Sequence, residues 1–275
     1  MASRKSTLYT QNNDQYYTTT ATAQLLVDMV KPFITEQHTI LEPSAGTGVF
    51  VDAMKDYAVE AYDIDPKHPA VIEQDFLKAG LLNKPYVTIG NPPFGGHSTS
   101  LAVNFFNKCA GVSDYIAFIV PRSFRKQSIQ NRLDLNFHLL LDEDCPKNSF
   151  IMEDNLWDVS TCMQVWKKEW HARSKPTFQG KYFTAHKTGT LQDGDFFMRY
   201  YGRNCGAILP DDYSGSLNTV RIIRPKVPNL KETIATLDFT TEKYNVGSMM
   251  CINNLEIERK LDETSIRHRN GRTIK

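Results

Sequence analysis

The chain has 275 residues, 41% of them hydrophobic, which is enough for one sizeable α/β core and a smaller additional region. Residues 1–20 are polar and no segment approaches the roughly 18 apolar residues that span a bilayer, so we expect neither secretion nor membrane insertion but a cytoplasmic protein, or a nuclear one in a eukaryotic host. The net charge is +1, but the charges are unevenly distributed. Residues 1–170 carry 15 Lys and Arg against 20 Asp and Glu, whereas residues 171–275 carry 17 against 11. The second part is therefore the better candidate surface for a polyanion.

Through about residue 170 the sequence alternates short apolar strands with amphipathic helices. Helices are predicted at residues 22–33, 49–55, 101–109 and 124–133, and strands at 39–41, 58–62, 86–89, 115–120, 139–141 and 161–166. This alternation predicts an α/β fold with a mostly parallel, doubly wound, Rossmann-like sheet that binds ligands at the carboxyl ends of its strands. Beyond residue 170 the pattern changes to short β-like pieces, which predicts a domain boundary there and a small β-rich C-terminal subdomain.

A glycine loop follows the first strand of this sheet. It has the sequence Glu42-Pro43-Ser44-Ala45-Gly46-Thr47-Gly48 and precedes a predicted helix. Glycines at positions 46 and 48 permit a tight turn and close approach of a ligand to the backbone. The loop lacks the spacing of the dinucleotide-binding and phosphate-binding motifs, and its acidic opening favours a cationic ligand over a phosphate.

Two acidic loops follow the glycine loop. Asp63 and Ile64 come directly after the strand predicted at residues 58–62, where a carboxylate can accept hydrogen bonds from both hydroxyls of a ribose. Asp75 and Phe76 offer an acceptor for an adenine amino group and a ring to cover the base. For both aspartates the alternative is an ordinary turn or helix-capping role.

A stiff polar corner, Asn91-Pro92-Pro93-Phe94, follows the strand predicted at residues 86–89. Prolines fix φ and donate no hydrogen bond, so the Asn91 carboxamide and the neighbouring carbonyls can be held in fixed directions at the strand end. Such a corner suits an NH2 group. The alternative is a rigid structural turn.

Taken together, these motifs resemble the amino-group methyltransferases that use S-adenosylmethionine, specifically the adenine-N6 branch with the gamma order of motifs. The resemblance covers about residues 15–168, and Tyr16, Tyr17 and Thr18 resemble the N-terminal cofactor-binding segment of that branch, with Thr19 where proline is usual. It implies the class I methyltransferase fold and S-adenosylmethionine as cofactor. The implied cofactor-binding residues are Tyr17, Thr18, Glu42, Pro43, Ser44, Ala45, Gly46, Gly48, Asp63, Ile64, Asp75, Phe76 and Asn91, and the implied catalytic residues are Asn91, Pro92, Pro93 and Phe94.

The resemblance also implies a mechanism. The Asn91 side-chain oxygen and the Pro92 carbonyl would accept hydrogen bonds from the adenine amine and direct its lone pair toward the methyl donor, so catalysis is mainly orientation. Phe94 would stack on the substrate base, which in duplex DNA has to be flipped out of the helix.

Residues 171–275 interleave aromatic and cationic side chains, which favours a nucleic-acid partner, with DNA preferred to RNA. The alternative is that the aromatic side chains form a core and the charged ones a solvated surface. The segments concerned are residues 178–187 and 199–203, and a basic tail is predicted at residues 267–272. Three other functions stay open: an RNA adenine-N6 methyltransferase, a protein-glutamine methyltransferase, in which Tyr usually stands at the position of Phe94, and an inactive nucleic-acid-binding module.

The cysteines and histidines predict no metal site. The five cysteines are odd in number and never form a Cys-x-x-Cys pair, and no histidine has a partner at a metal-ligand spacing. Free thiols are therefore expected, while the target sequence and the oligomeric state stay open.

Overall fold

The computed structural model describes residues 16–95, 99–246 and 249–270, with residues 266–270 described by their backbone alone. The chain divides into two compact units. The N-terminal unit comprises the described residues up to Pro121 together with Asn131–Ser174, and the C-terminal unit comprises Arg122–Gln130 together with the described residues from Lys175 onward. A short stretch after the fifth strand of the main sheet thus belongs to the C-terminal unit.

The N-terminal unit contains most of the predicted elements. Its strands are β1 (Tyr17–Thr18), β2 (Thr39–Glu42), β3 (Val59–Asp63), β4 (Ile72–Glu73), β5 (Tyr86–Gly90), β6 (Ser113–Pro121), β7 (Phe137–Asp144), β8 (Phe150–Met152), β9 (Asn155–Trp157) and β10 (Thr161–Lys168). Its helices are α1 (Thr20–Val30), α2 (Val49–Ala53) and α3 (Ser100–Ala110), with 3-10 turns at Lys31–Phe33 and Phe76–Lys78.

Seven strands form the main sheet in the order β4-β3-β2-β5-β6-β10-β7. The β2–β3, β2–β5, β3–β4 and β5–β6 pairs are parallel, whereas β10 runs antiparallel to both of its neighbours. The predicted Rossmann-like fold class is confirmed. Because the chain winds outward in both directions from the β2–β5 pair, the carboxyl ends of these two strands flank the switch point where such sheets bind ligands.

The core explains the first helix. Four apolar residues of α1 recur at helical spacing and are buried. They are Ala23, Leu26, Val27 and Val30, and they pack with Ile40 of β2 and with Val87 and Ile89 of β5.

Thr19 caps the helix, because its hydroxyl accepts a hydrogen bond from the N–H of Thr22 at 3.3 Å. The threonine that replaces the usual proline therefore has a structural role.

A second sheet of three strands, in the order β1-β8-β9, belongs to the same unit. Tyr17 pairs with Ile151 and Thr18 with Phe150, both antiparallel. The hairpin formed by β8 and β9 thus holds the segment that leads into α1. The sequence analysis predicts none of these three short strands.

The C-terminal unit is a three-stranded antiparallel sheet packed with helices. Its elements are a 3-10 turn (Arg122–Arg125), α4 (Gln127–Gln130), β11 (Phe183–His186), β12 (Phe196–Arg199), a 3-10 turn (Leu217–Thr219), β13 (Val220–Pro225), α5 (Leu230–Ala235), α6 (Thr240–Tyr244) and α7 (Asn254–Asn270), and the strand order is β11-β13-β12.

One expectation for the C-terminal unit is wrong. The helix predicted at residues 124–133 is only a 3-10 turn and one turn of α-helix, because α4 buries no side chain and so has no apolar face that would support a longer helix. Residues 267–270 of the predicted tail are the end of helix α7, and residues 271–272 lie outside the described part of the chain.

Among the described residues, no helix is long and apolar enough to cross a membrane, and no cluster of His, Cys, Asp and Glu has the arrangement of a metal site. The five cysteines lie within the described residues, and none of them is part of a disulfide.

Candidate active site

The glycine loop joins β2 to α2 and makes a tight turn. The φ angles of Gly46 and Gly48 are +47° and +78°, in the left-handed region that favours glycine. The N–H of Gly48 donates to the carbonyl of Ala45 at 2.7 Å, which closes the turn. Both glycines are therefore needed for backbone reasons.

Asp63 ties this loop to the end of β3. Its Oδ2 accepts a hydrogen bond from the N–H of Gly46 at 2.7 Å, and its Oδ1 accepts one from the N–H of Asp65 at 2.8 Å. Each carboxylate oxygen has two lone pairs, so both oxygens keep capacity for a further donor such as a ribose hydroxyl. Asp63 thus has the turn-forming role that the sequence left as an alternative.

Two side chains lie over the glycines. A Cβ added at Gly46 would be 2.9 Å from Cε1 of Tyr17, and one added at Gly48 would clash with Cγ of His68. Burial raises the pKa of the Tyr17 hydroxyl, and the nearby positive charge of Lys67 partly offsets this rise. The rings of Tyr17 and His68 therefore pack directly against the loop backbone and leave no room for a side chain at either glycine.

Glu42, at the end of β2, is an acid inside the core. The residue is 1% exposed, and its Oε2 is buried without a hydrogen-bond partner. Burial, and secondly the charge of Asp63, raise the pKa of Glu42 well above its usual range. The side chain lies next to Gly90, since a Cβ built there would be 3.8 Å from Oε1. A cation placed beside this carboxyl would compensate its burial.

The Asn91 corner lies beside the glycine loop at the end of β5. The hydroxyl of Ser44 donates to the main-chain oxygen of Asn91 at 3.1 Å. The Asn91 side chain donates from Nδ2 to the main-chain oxygen of Tyr16 at 3.1 Å, and its Oδ1 is buried with no partner. Pro92 is buried, whereas Pro93 and Phe94 are partly exposed.

Three predicted site residues share an unusual property. In the described part of the N-terminal unit, the buried side-chain oxygens without a partner are Thr18 Oγ1, Glu42 Oε2 and Asn91 Oδ1. Buried polar atoms in native proteins are nearly always hydrogen-bonded. Glu42 and Asn91 lie at the carboxyl ends of the neighbouring strands β2 and β5, whereas Thr18 lies in β1 of the small sheet, so the first two form one candidate place for a ligand that supplies hydrogen-bond donors.

In the second acidic loop, Asp75 has the capping role that the sequence left as an alternative, and the Phe76 ring lies in the core. Asp75 caps the 3-10 turn that follows it, accepting from the N–H of Leu77 at 3.0 Å, and pairs with Lys78 at 2.9 Å. Phe76 is 1% exposed and packs against the rings of Tyr62 and Phe105. The Phe76 ring is therefore a core side chain and does not offer a free face to a base. Ile64, in contrast, is 47% exposed beside Asp63.

The aromatic residues of the C-terminal unit also lie mostly in its core. Phe183 and Tyr200 are buried in one cluster, which Phe178, Tyr182 and Tyr201 border. The rings of Phe183 and Tyr200 are thus unavailable for base stacking. This is the alternative that the sequence left open for these aromatic residues.

The cations of this unit are partly engaged. Lys181 pairs with Asp262 at 3.0 Å and Arg224 with Asp195 at 2.9 Å. An open depression of about 470 Å³ in the same unit is lined by Phe197, Tyr213 and acidic side chains, and none of the predicted site residues lines it.

One residue of the site was missed. Tyr16 was assigned no role of its own, yet its main-chain oxygen fixes the Asn91 carboxamide. A backbone carbonyl leaves no signal in residue identity. The structure positions this carbonyl through the two residues that follow it, Tyr17 and Thr18, which pair with β8.

Comparisons with known proteins show distant likenesses. No family model and no curated protein matches this sequence. Among solved structures, the 23S rRNA methyltransferase ErmE is 17% identical with a TM-score of 0.43, over 57% of this chain and 71% of its own. A protein from Pyrococcus horikoshii described as an RNA methyltransferase is 18% identical with a TM-score of 0.46, over 60% and 93%.

A third structure, from Vibrio vulnificus YJ016 and described as the modification subunit of a type I restriction enzyme, is 16% identical with a TM-score of 0.42, over 67% of this chain and 49% of its own. At these values the likenesses leave the chemistry to be argued from the residues of this chain.

Proposed function

We propose that this protein transfers a methyl group from S-adenosylmethionine to the N6 amino group of adenine in DNA. The observation that carries the proposal is the Asn91 carboxamide, whose nitrogen is bound to the protein and whose oxygen is buried without a partner. Such an oxygen is an acceptor kept for a donor from outside the protein. An exocyclic amine is a donor of this kind.

The chemistry requires orientation more than a strong base. The lone pair of the adenine amine is delocalised into the ring, so the nitrogen is a poor nucleophile. Hydrogen bonds to Asn91 Oδ1 and to the Pro92 carbonyl would hold its two hydrogens and turn the lone pair out of the ring plane. Holding reacting groups in this way is a large catalytic effect in its own right. Partly exposed Phe94 would stack on the base.

The residues beside this corner fit S-adenosylmethionine. The buried Glu42 carboxyl, whose Oε2 has no partner, suits a cationic ligand, and Asp63 keeps acceptor capacity for ribose hydroxyls. The exposed Ile64 side chain and the Asp75 carboxylate would border the adenine of the cofactor. When bound, S-adenosylmethionine supplies an electrophilic methyl group on a positively charged sulfur.

The corner has to open before an amine can enter. Asn91 Oδ1 is buried and shielded from water in this structure. The backbone of Asn91 lies next to the glycine loop, because the Ser44 hydroxyl donates to its main-chain oxygen. Active sites commonly close over a bound substrate to exclude water, so an open form has to precede binding. A flipped adenine would enter after leaving the base stack.

A nucleic acid is the proposed substrate because of charge, and DNA is preferred to RNA because the motifs resemble those of adenine-N6 DNA methyltransferases. Residues 171–275 carry 17 Lys and Arg against 11 Asp and Glu, a balance of +6 that favours a polyanion. The names of the structural neighbours include both RNA methyltransferases and a modification subunit, so they do not choose between the nucleic acids.

The direct test is to incubate the protein with methyl-labelled S-adenosylmethionine and, separately, unmethylated duplex DNA, single-stranded DNA and RNA. The products are digested to nucleosides and identified by mass spectrometry, with Asn91→Ala as the control. We expect N6-methyldeoxyadenosine from the wild-type protein. Methylated adenosine from RNA alone, or no labelled product from any substrate, would contradict the proposal.

A further inference from the structure

The Asn91 carboxamide has two ends, and its environment decides which one faces outward. The carbonyl of Tyr16 lies 3.1 Å from Nδ2. A carbonyl can only accept a hydrogen bond, so a carboxamide rotated by 180° would place oxygen against oxygen and leave its NH2 group buried without an acceptor. The position of the Tyr16 carbonyl therefore determines that Oδ1 is the end left without a partner.

The Tyr16 carbonyl is itself held firmly. Tyr16 precedes β1, which pairs with β8, and the N–H of Thr19 donates to the carbonyl of Ser149 at 3.0 Å. The Tyr16 ring makes edge contacts with the rings of Phe150 and Trp157, at centroid distances of 6.2 and 6.4 Å. Phe150 and Trp157 are directly paired across β8 and β9. Backbone pairing and an aromatic clamp thus act on the same residue.

We infer that the main-chain carbonyl of Tyr16 is a positioning group that selects the acceptor end of the Asn91 carboxamide for the substrate amine, and that the β8–β9 hairpin serves to hold this carbonyl in place. This inference rests on the proposed function, because it assigns Asn91 Oδ1 to an amine. It gives the hairpin a role that neither its sequence nor the motif resemblance indicates. Tyr16 touches neither substrate nor cofactor in this role.

The positioning bond can be measured without cofactor or substrate. In the nitrogen-15 spectrum of the free protein, the Asn91 side-chain NH2 signal is identified by its loss in Asn91→Ala. We expect one of its two protons to exchange slowly with solvent in the wild-type protein and in Tyr16→Phe, which keeps the aromatic clamp. Tyr16→Gly, which removes the ring, should exchange faster, and so should Trp157→Ala if Tyr16→Gly does not fold. Equal exchange in the wild-type protein and in the folded ring-deletion variant would overturn the inference.

A pH profile tests the chemistry. In Asn91→Asp, an ionised carboxylate would face the Tyr16 carbonyl with a negative oxygen, whereas the protonated form can donate to that carbonyl and offer its other oxygen to the amine. The activity of Asn91→Asp relative to wild type should therefore rise as the pH falls, by up to about tenfold per unit above the pKa of the new carboxyl. A ratio that stays constant between about pH 5.5 and 8.5 would overturn the inference.

The activity and exchange measurements together separate the proposed function from the positioning role of Tyr16. If the wild-type protein methylates no adenine, the proposed function fails whatever the variants do. If the wild-type protein is active while the ratio and the exchange rates are flat, the proposed function stands and only the Tyr16 role is refuted.

Discussion

The side-chain nitrogen of Asn91 donates to the main-chain oxygen of Tyr16 at 3.1 Å, although the two residues are 75 positions apart in the sequence. This bond joins the end of a central strand of the main sheet to the small sheet formed by β1, β8 and β9. It leaves the oxygen of the same carboxamide without a partner. In the neighbouring glycine loop, Oε2 of Glu42 is also buried without a partner. The proposed chemistry depends on this arrangement.

Replacing Glu42 by glutamine should weaken cofactor binding and raise stability at neutral pH. Because burial raises the pKa of Glu42, the folded state binds its proton more tightly than the unfolded state does. Its contribution to the free energy of unfolding is fully present below the unfolded pKa and declines as the pH rises toward the folded pKa. Glu42→Gln removes this decline and also removes a charge-assisted contact worth about 1.5–3 kcal/mol to a cationic ligand.

Urea unfolding at several pH values and calorimetric titration with S-adenosylmethionine measure the two effects. Glu73→Gln, at an exposed position of β4, is the matched control and should change neither. An unchanged dissociation constant in Glu42→Gln would remove Glu42 from the cofactor site.

Gly48→Ala should destabilise the protein by about 1 kcal/mol or more, because its φ of +78° is unfavourable for alanine and the added Cβ meets His68. His68→Ala in the same chain should recover the steric part of this loss but not the backbone part. Thermal unfolding of the single and double variants separates the two contributions. Gly80→Ala, which has no neighbour within 4 Å, should be close to neutral. A stability of Gly48→Ala equal to that of Gly80→Ala would refute the described loop conformation.

Asp63→Ala should weaken cofactor binding and loosen the glycine loop together, since both carboxylate oxygens accept backbone N–H groups. Two lost hydrogen bonds to a charged group correspond to about 3–6 kcal/mol at most, shared between stability and binding. Calorimetric binding and hydrogen exchange of the Gly46 amide measure the two effects, with exposed Asp56→Ala as the control. Normal binding of S-adenosylmethionine by Asp63→Ala would refute the ribose assignment.

Lys126→Met should destabilise the C-terminal unit by about 3–5 kcal/mol, the usual cost of leaving a buried charge unpaired. Lys126 Nζ lies 2.9 Å from Glu256 Oε1 and also donates to the carbonyls of Glu242 and Cys251. Burial already raises the pKa of Glu256 and Lys126 lowers it, so the loss in Lys126→Met should lessen as the pH falls and Glu256 is protonated.

Chemical denaturation, monitored by a signal that reports on the C-terminal unit, measures this loss of stability. The double change Lys126→Met with Glu256→Leu should recover most of it. A double variant as unstable as the single one would contradict the pairing as the cause.

The sequence predicts the main sheet well because its strands are apolar and its first helix has a regular buried face, as with Leu26 and Val30 of α1. The sequence does not predict helix α7, because the buried face of this helix is not uniformly apolar. Its buried face includes Glu256 and Glu258, and Glu258 accepts hydrogen bonds from the N–H groups of Gln179 and Lys181. Charged residues that point inward remove the apolar periodicity on which such a prediction depends.

The candidate site likewise contains residues whose type indicates a role and residues whose type does not. The residues around Gly46, Asp63 and Asn91 were predicted because residue type carries their role. Phe76 could not be placed from residue type alone, since an aromatic side chain suits a core as well as a base. The role of Tyr16 depends on its backbone, which any residue provides.

The most direct test of the central claim is methyl transfer by Asn91→Ala, measured with its S-adenosylmethionine affinity on the same preparation. Removal of the orienting oxygen predicts a loss of at least about 10²-fold in transfer to adenine, comparable to the loss of one preorganised group in other active sites, with a dissociation constant within about twofold of wild type. Transfer at the wild-type rate by a folded Asn91→Ala protein would contradict the claim that this carboxamide orients the amine.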